Sequence, residues 1–374
     1  MPSVAVVVPV RSGGPAFERC LTAVDRLDPA PDRVLVVLDG TDAGADPGDR
    51  ERAVRHGAQV LALPERGGPG RARNEGVRRL REDVVLLVDA DVEPAPDAVG
   101  VVASHLEQNP HVAAVFGAYD DTPAEPGFLS QYKNLLNHLM HDRERVASTF
   151  WAGCGAVRRA DLAAVGGFDE RYERPEVEDV ELGGRLVAAG RTIHLLPHLR
   201  ATHLKRWTAR GLLRTDVLAR ALPWSELILR TGSLPGELDV SPRHRVQVAL
   251  VPLSLLAVLA AAATRGRRRP LLALSATGLG AVVALDAPLL AGFARLRGPV
   301  FAARTAPWRV AAYGASALGL ALAAVRVGAE RAGLRAAPEP RLRRDLDDLV
   351  DDLHAPADVD PAGPAGLADR GRQP

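Results

Sequence analysis

The sequence has very little of two residue types that often reveal function, cysteine and lysine. Only Cys20 and Cys154 are present among 374 residues, and their wide separation gives neither a metal-ligand spacing nor a disulfide framework. Lysine accounts for two of the 47 basic residues, and the formal charge is +1 at neutral pH. A nearly neutral chain gives no electrostatic reason for nucleic-acid binding. We therefore expect a reducing compartment and no nucleic-acid partner.

Two further patterns are missing. The glycines at positions 67, 68 and 70 lack the G-x-G-x-x-G spacing, so no dinucleotide cofactor site is indicated, and they are equally compatible with a simple turn. No apolar segment precedes the first strand-like run, which begins at Val4. We therefore expect no secretory leader and a catalytic part in the cytosol.

Four short apolar runs open the chain, at residues 4–10, 34–38, 60–63 and 84–88. Helical patterns, such as that at residues 17–27, alternate with them. This alternation predicts an α/β fold with a mostly parallel sheet covered on both faces. In such sheets ligands bind outside the carboxyl ends of the strands. Here those ends carry Pro9, Arg11, Asp39, the glycine loop and an Asp-x-Asp sequence.

The Asp-x-Asp sequence is Asp89-Ala90-Asp91, directly after the fourth run. Alternate residues of a strand share a face, so both carboxylates can point the same way. Carboxylates suit a hard divalent cation whose other ligands come from substrate phosphates. By itself the motif is common and is also typical of a solvated loop start.

Several motifs in order make the chain resemble a family-2 glycosyltransferase of the GT-A fold. The opening strand resembles the family's Val-Ile-Pro start, and Asp39-Gly40-Thr41 its Asp-Asp-Gly-Ser, with Leu38 in place of the first aspartate. Asp89-Ala90-Asp91 resembles its metal motif. Glu178-Asp179 resembles the catalytic Glu-Asp pair heading a helix. Segments 70–76, 153–159 and 166–170 also resemble the family, so that the likeness covers about residues 4 to 210.

The resemblance implies a site with four groups of residues. Asp179 is the expected catalytic base for the acceptor hydroxyl. A nucleotide sugar is expected at Pro9, Arg11, Asp39, Arg73 and Asp89. A divalent metal, Mn²⁺ or Mg²⁺, is expected at Asp91, Asp89 and His203. Acceptor contacts are expected at Gly153, Cys154, Glu178, Arg206 and Trp207.

Each of these assignments has a structural alternative. Glu178 and Asp179 also suit the N-terminus of the helix that follows them. The small residues Gly153 and Cys154 also suit a tight turn beside a buried strand, and Arg73 and His203 also suit an exposed surface. The sequence from His203 to Trp207 resembles the Gln-x-x-Arg-Trp of processive relatives, with histidine replacing glutamine.

The chain changes character after about residue 240. Residues 246–263, 271–293 and 310–325 are apolar, the second run interrupted by Asp286 and Pro288. About 20 residues are needed to span the hydrocarbon, so the first two suffice and the third is short. We expect a catalytic domain at 1–235, a membrane region at 240–330 and a disordered tail at 336–374. The arginines between the first two runs would prefer the cytosol, which conflicts with one full span after a cytosolic domain.

The sequence therefore predicts a membrane-anchored, inverting glycosyltransferase whose catalytic domain faces the cytoplasm. The donor is expected to be a nucleotide sugar, UDP-linked, and the acceptor a lipid-linked or cell-envelope glycan. A nucleotidyltransferase is the first alternative, since that class also combines a nucleotide-binding sheet with paired aspartates. A catalytically silent membrane scaffold with the same fold is the second.

Overall fold

The computed structural model describes residues 1–41, 45–232 and 241–342. Within them a nine-stranded sheet has the order β3-β2-β1-β4-β8-β6-β9-β5, and β7 pairs with β9. The strands are β1 (Val4–Val10), β2 (Arg33–Leu38), β3 (Gln59–Ala62), β4 (Val84–Val88), β5 (Val92–Pro94), β6 (Val112–Tyr119), β7 (Arg145–Ala147), β8 (Cys154–Arg158) and β9 (Thr192–His203).

The helices of the sheet-containing part are α1 (Gly14–Val24), α2 (Asp49–Arg55), α3 (Gly68–Val77), α4 (Ala98–Gln108), α5 (Phe128–Met140), α6 (Arg159–Ala164) and α7 (Glu178–Ala188). They are followed by α8 (Ala209–Arg214), a π-helical segment (Thr215–Ala221) and α9 (Leu222–Thr231). The last helices are α10 (Pro242–Ala263), α11 (Arg268–Leu285), α12 (Ala287–Arg297) and α13 (Pro299–Arg331). A short 3₁₀ turn, Arg265–Arg267, joins α10 to α11.

The predicted α/β fold is confirmed, and the sheet has two differently built halves. Strands β3, β2, β1 and β4 are parallel, as the first four apolar runs predict. Beyond β4 the sheet is mixed, because β8 is antiparallel to both β4 and β6 while β9 is parallel to β6. The parallel half therefore gathers the ends of β1, β2 and β4 at one edge.

Alternation along the strands explains why both faces of the sheet are covered. In β1, Val6 and Val8 pack into a core with Phe17 of α1, on the face that also carries α4. Ala5 and Val7 pack on the opposite face, which carries α3, α6 and α7. These side chains are fully buried. Burying apolar area on both faces stabilises the sheet by roughly 25 cal/mol per Å².

Three helical segments, Pro242–Ala263, Arg265–Leu285 and Pro299–Arg331, are long and apolar enough to cross a membrane. Large apolar side chains of α10 point outward, and Leu253, Leu256 and Leu259 are 60%, 59% and 66% exposed. An apolar surface of this extent is typical of contact with lipid. The last helix, α13, has 33 residues and is therefore longer than the third predicted apolar run, residues 310–325.

The second predicted run is divided at Asp286, where α11 ends and α12 begins. The Asp286 carboxylate accepts hydrogen bonds from Gln247 of α10 at 3.0 Å and from Tyr313 of α13 at 2.6 Å, and pairs with Arg309 at 2.9 Å. A buried carboxylate in an apolar bundle requires such partners. The cluster therefore ties α10, the α11–α12 junction and α13 together.

The α12 helix then returns to the sheet-containing part. Phe293 is fully buried and lies against Tyr132 of α5, with ring centres 5.8 Å apart. The predicted domain boundary at 235–240 lies outside the described residues, as do residues 343–374 of the predicted tail. Of the tail residues described, Arg341 accepts a hydrogen bond from the backbone of Glu170 and donates one to Asp169.

Candidate active site

A cavity of about 1340 Å³ opens at the edge where the parallel strands end. One part of it is lined by residues that follow β1, β2 and β4 and by the start of α7. The other part is lined by α9, α10, α13 and the π-helical segment. The cavity contains eleven of the predicted site residues: Pro9, Arg11, Asp39, Arg73, Asp89, Asp91, Glu178, Asp179, His203, Arg206 and Trp207.

Arg73 lies at the centre of the polar part and is only 3% exposed. Its Nη1 donates to Glu178 at 2.9 Å, and its Nη2 donates to Asp89 at 2.8 Å. Burial alone would lower the pKa of Arg73, but Asp89, Glu178 and Asp179 raise it further than burial lowers it. Arg73 is therefore a buried cation that joins α3, the end of β4 and the start of α7. The alternative of an exposed surface arginine is wrong.

Asp91 and His203 lie next to each other in the cavity. The Asp91 Oδ2 and His203 Nε2 atoms lie 3.5 Å apart. Asn134 fixes the ring, because its Nδ2 donates to the His203 carbonyl at 3.3 Å and its Oδ1 lies 3.0 Å from His203 Nδ1. The Oδ1 atom can only accept, so the hydrogen is on Nδ1. Nε2 is consequently the ring nitrogen that faces Asp91, and when it carries no proton its lone pair can bind a metal ion.

This arrangement fits a divalent metal ion. A carboxylate oxygen and an imidazole nitrogen are suitable donors for Mn²⁺, and an orienting partner on the other ring nitrogen is usual for a ligating histidine. The ring is further held by Tyr119, which stacks on it with ring centres 4.7 Å apart. Burial alone would raise the pKa of Asp91, but the hydrogen bond with His203 and the nearby Lys205 charge lower it. Asp91 is thus held in the form that binds a cation.

Asp89 is oriented differently from Asp91. Its carboxylate is 38% exposed in the cavity and pairs with Arg73, while its backbone N–H donates to the Gly153 carbonyl at 3.1 Å. Burial raises the pKa of Asp89, and the Arg73 charge only partly offsets this. The two carboxylates therefore line one cavity, as the strand geometry predicts, but each has its own partner.

Asp179 lies in the first turn of α7. Its Oδ2 accepts a hydrogen bond from the Ala152 backbone at 3.2 Å. Burial raises the pKa of Asp179 to about 7, and the Glu178 charge adds to this while Arg73 opposes it. Glu178 has a charged partner, since its two oxygens accept from Arg73 and from the Glu176 backbone. The two Asp179 oxygens accept only from backbone N–H groups, of Ala152 and of Val180. Of this acidic pair, Asp179 therefore has the properties of a proton acceptor near neutral pH.

Asp39 fixes the glycine loop, although 28 positions separate it from Gly67. Its two oxygens accept from the backbone of Gly67 at 2.7 Å and of Gly68 at 3.0 Å, at the N-terminus of α3. Gly68 has φ +87°, and a Cβ there would lie 2.6 Å from the Tyr172 carbonyl oxygen, so only glycine fits. Arg11 donates to the Asp39 carbonyl at 3.0 Å. Asp39 thus holds this wall of the cavity and keeps lone pairs for a further donor.

Two predicted acceptor contacts are not brought into the cavity. Cys154 is fully buried in the core, where its side chain packs with apolar residues of the sheet. Gly153 contributes its carbonyl to Asp89, and a Cβ at this position would meet the Trp151 ring at 2.6 Å. Both residues therefore shape the cavity wall from behind, as a tight turn beside a buried strand.

Arg206 and Trp207 line the cavity on the side of α5. Arg206 is exposed to it. Trp207 is 8% exposed, and its backbone N–H donates to the Ser130 hydroxyl at 2.9 Å. Lys205 lies over the Trp207 ring, with its nitrogen 4.6 Å from the ring centre. The indole face is therefore covered by a cation.

Sequence reasoning missed the residues that orient the site. Asn134, Tyr119 and Trp151 have no motif, and Asn134 is separated from His203 by 69 positions. Tyr119 connects His203 to Trp151, since its ring stacks on His203 and packs edge-on against Trp151, with ring centres 4.8 Å apart. The only local signal was the amphipathic pattern of α5, which predicts the helix but not a polar side chain that reaches the site.

A second group of potential metal ligands lies elsewhere. His105, Glu144 and His194 have ligand atoms within 4.8 Å of one another. His194 precedes His203 by nine residues along β9, about 30 Å in an extended strand. The His105 Nε2 and His194 Nδ1 atoms are 3.0 Å apart, so one ring donates a hydrogen bond to the other. This group does not line the cavity.

The chain is similar to several known proteins. The sequence profile of the family "Glycosyl transferase family 2" matches residues 5–166. The pre-mycofactocin glycosyltransferase of Mycobacterium tuberculosis is 30% identical over 219 residues, which cover 55% of this chain and 45% of that protein. The N-acetylglucosaminyl-diphospho-decaprenol L-rhamnosyltransferase of the same species is 28% identical over 240 residues, covering 54% and 75%. The chain thus spans about half the length of the first of these relatives.

One solved structure has the same fold over most of the chain. It is the mannosyltransferase PcManGT from Pyrobaculum calidifontis in complex with GDP-Man and Mn²⁺, with a TM-score of 0.55 and 19% identity. The match covers 86% of this chain and 87% of that one, so it extends beyond the nine-stranded sheet. The chain therefore has a GT-A-like fold, and its residues 5–166 match the profile of glycosyl transferase family 2.

Proposed function

We propose that this protein is a metal-dependent, inverting glycosyltransferase that moves a sugar from a nucleoside diphosphate donor to a hydroxyl of a lipid-linked or cell-envelope glycan. The observation that carries the proposal is the meeting of the Asp91–His203 pair and the Asp179 carboxylate in one cavity. The rest of the site supplies the charges and shape that such a transfer requires.

A Mn²⁺ or Mg²⁺ ion would be held by Asp91 and His203, with Asp89 beside them. When bound, the metal supplies positive charge that neutralises the diphosphate as it leaves. Asn134 keeps the His203 Nε2 lone pair directed into the cavity. Arg73 holds Asp89 in place through its 2.8 Å contact and adds a fixed positive charge to this wall.

Asp179 acts as the general base. The acceptor hydroxyl gives its proton to the Asp179 carboxylate while its oxygen forms a bond to the anomeric carbon. The bond from that carbon to the donor phosphate breaks, and its electron pair leaves on the nucleoside diphosphate. A single carboxylate that activates the acceptor opposite the leaving group inverts the anomeric centre.

The donor is a UDP-sugar, with the nucleotide along Pro9, Arg11 and Asp39. Support comes from the position of these residues at the carboxyl ends of β1 and β2, where open α/β sheets bind nucleotides. Arg206, exposed on the opposite side, contacts the diphosphate, and Trp207 lies on the acceptor side. The membrane helices keep the site at the bilayer surface, with the catalytic part in the cytoplasm.

The experiment is a donor screen with the full chain in lipid nanodiscs. UDP-, GDP- and dTDP-sugars are supplied with Mn²⁺ or Mg²⁺ and an envelope-lipid extract, and release of nucleoside diphosphate is measured before and after EDTA. We expect metal-dependent release from one donor, abolished in Asp91→Ala and retained in the exposed control Asp97→Asn. Release of pyrophosphate when UTP and a sugar 1-phosphate are supplied instead would identify a nucleotidyltransferase. Tight nucleotide binding without turnover would identify a scaffold.

A further inference from the structure

A group of potential metal ligands lies near the end of β9 that is opposite to His203. His105, Glu144 and His194 offer ligand atoms within 4.8 Å of one another, and these three residues are called the histidine cluster below. His105 is in the last turn of α4, Glu144 directly precedes β7, and His194 is in the first part of β9. None of the three lines the cavity, so the transferase site does not account for the cluster.

The backbone brings these three residues together on one side of the sheet. Val146 of β7 pairs with His194 of β9, and Glu144 lies two positions before Val146. Alternate residues of a strand share a face, so Glu144 approaches the face that carries His194. His105 approaches from α4, where its carbonyl accepts hydrogen bonds from the backbone and the side chain of Asn109. Three elements that are distant in sequence therefore meet at the cluster.

The two imidazole rings are spaced as ligands of one ion. The His105 Nε2 and His194 Nδ1 atoms lie 3.0 Å apart. A tetrahedral Zn²⁺ ion with Zn–N bonds of about 2.05 Å holds two nitrogens roughly 3.3 Å apart. A neutral imidazole has one N–H and one lone pair. With the hydrogens on His105 Nδ1 and His194 Nε2, both lone pairs are available to the same ion, and neither ring has to lose a proton.

Glu144 supplies a negative charge beside the two rings. Its carboxylate is exposed, and among the described residues it takes part in no hydrogen bond or ion pair. The neighbouring Arg145 does not neutralise it, because that guanidinium donates to the Met140 carbonyl at 3.3 Å. An exposed glutamate can rotate about its side-chain bonds. It can therefore close the distance from within 4.8 Å to the spacing of zinc ligands.

The surroundings favour a cation at this position. Burial, followed by the charge of His194, lowers the pKa of His105, and burial lowers the pKa of His194 against the charge of Glu144. Both rings are therefore neutral at pH 7, which is the form that binds a metal ion. His105 also lies in the last turn of α4, where the helix dipole favours positive charge.

The ligand set is typical of zinc. Zinc proteins use two imidazoles and one carboxylate as three protein ligands, with water in the fourth position. Such a set binds Zn²⁺ more tightly than Mn²⁺. His111 lies beside the cluster, with its ring centre 6.3 Å from that of His194, but it does not belong to the group of ligand atoms within 4.8 Å. The fourth position is therefore open to water.

We propose that His105, Glu144 and His194 bind a Zn²⁺ ion whose fourth ligand is water, and that this ion ties α4, β7 and β9 together. An ion that binds only the folded chain stabilises it. The site is separate from the proposed transferase site, and its assignment does not depend on the proposed function.

The position of the cluster on β9 gives the ion a structural role. The pairing of β9 with β6 shifts register between Leu195 and Arg200. His194 lies before this shift, and His203 of the active-site pair lies after it. The zinc ion fixes the first part of the strand, where β7 and α4 also contact it.

The test is zinc binding by the full chain in detergent, after EDTA treatment and dialysis. Zn²⁺ is titrated against a chromophoric chelator in an Asp91→Ala background, so that the active-site pair does not compete for the ion. We expect one equivalent to bind with a Kd below about 1 µM. Adding His194→Ala or Glu144→Gln should weaken this binding at least tenfold. Adding His198→Ala, which removes an exposed histidine of the same strand, should change it less than threefold.

Two further measurements keep the test decisive if His194→Ala does not fold. Glu144→Gln changes only an exposed side chain, and the rise in melting temperature on adding Zn²⁺ should be clearly smaller with it than without it. Co²⁺ in place of Zn²⁺ should give the intense visible absorption of a four-coordinate ion. The proposal would be overturned by the absence of a tight equivalent, by equal affinity in both cluster variants and the background, by an equal loss in His198→Ala, or by the weak spectrum of six-coordinate Co²⁺.

Discussion

The two parts of the cavity are built by opposite means. The polar part is made of charged side chains that are held by one another across long sequence separations, as in the Asp89–Arg73–Glu178 chain. The helical part is made of small apolar residues in repeating positions on single helices, such as Ala317 and Ala321 of α13. Removing one partner of a buried charge pair leaves the other charge without compensation. A groove between helices changes only as far as the volume of its side chains changes. Single substitutions should therefore have much larger effects in the polar part.

The largest effect is expected for Asp179→Asn. The amide keeps the shape of the side chain but cannot accept the acceptor proton, so kcat should fall by about 10²–10⁴-fold, the usual contribution of a general base. Binding of UDP or GDP with Mn²⁺ should be retained and is measured by calorimetry. Asp97→Asn, which changes an exposed carboxylate, is the control. A loss of less than threefold in kcat would remove Asp179 from the mechanism.

Arg73→Met should show how strongly the polar part depends on one cation. Removing the guanidinium leaves the buried Glu178 carboxylate without its charged partner, which typically costs about 3–5 kcal/mol. Thermal unfolding in detergent should therefore begin at a clearly lower temperature than in the wild type. Arg79→Met, on a 43% exposed side chain just beyond the same helix, should unfold like the wild type. An unchanged melting temperature for Arg73→Met would show that the network is not structural.

Asn134→Ala tests whether an uncharged residue orients the metal site. Without it the His203 ring loses the partner that fixes its tautomer, and the affinity for Mn²⁺ should fall by about 10–100-fold, as for other orienting partners of metal ligands. Gln131→Ala on the same helix is the control, because its side chain donates to the backbone carbonyls of Pro123 and Glu125, in the loop before α5, and does not line the cavity. Titration with Mn²⁺ in the presence of UDP measures both. Equal affinities would mean that Tyr119 alone holds the ring.

The smallest effect expected is a pH dependence of about tenfold per unit. The pKa of Asp179 is raised to about 7 by burial and by Glu178, against the opposing charge of Arg73. Its base form therefore predominates only above pH 7, so kcat/KM should rise tenfold per unit below that value and level off above it. Measurements from pH 5.5 to 8.5 decide this. A flat profile would contradict the assignment.

The raised pKa of Asp179 also affects the stability of the fold, and here a rise in pH is unfavourable. A carboxyl group whose pKa is raised on folding binds its proton more tightly in the folded state, so its contribution to stability falls as pH rises from about 4 to above 7. Asp179→Asn removes this cost. At pH 8 the variant should melt at a temperature equal to or above that of the wild type, which separates loss of the base from loss of the fold.

Much of the fold could be predicted because its signals are local. The run at residues 4–10 becomes β1 with the same bounds, and α7 begins at Glu178, where the acidic pair predicts a helix start. Apolar residues on both faces of a strand exclude a solvated sheet, so the parallel half followed from composition alone. The antiparallel insertion of β8 between β4 and β6 has no such local signal, because it depends on which strand edges remain open.

The sequence by itself determined which residue types stand at the ends of the strands, because the alternation of apolar runs and helices fixes where each strand stops. It placed Asp39, Asp89 and Asp91 on one edge of the sheet, and the structure brings all three to the same cavity. Tertiary structure alone decided their partners. The links from Asn134 to His203, from Arg73 to Glu178 and from α13 to the cavity join residues 69 or more positions apart. Such contacts arise only when the core packs, since no periodic pattern encodes the pairing of single polar side chains.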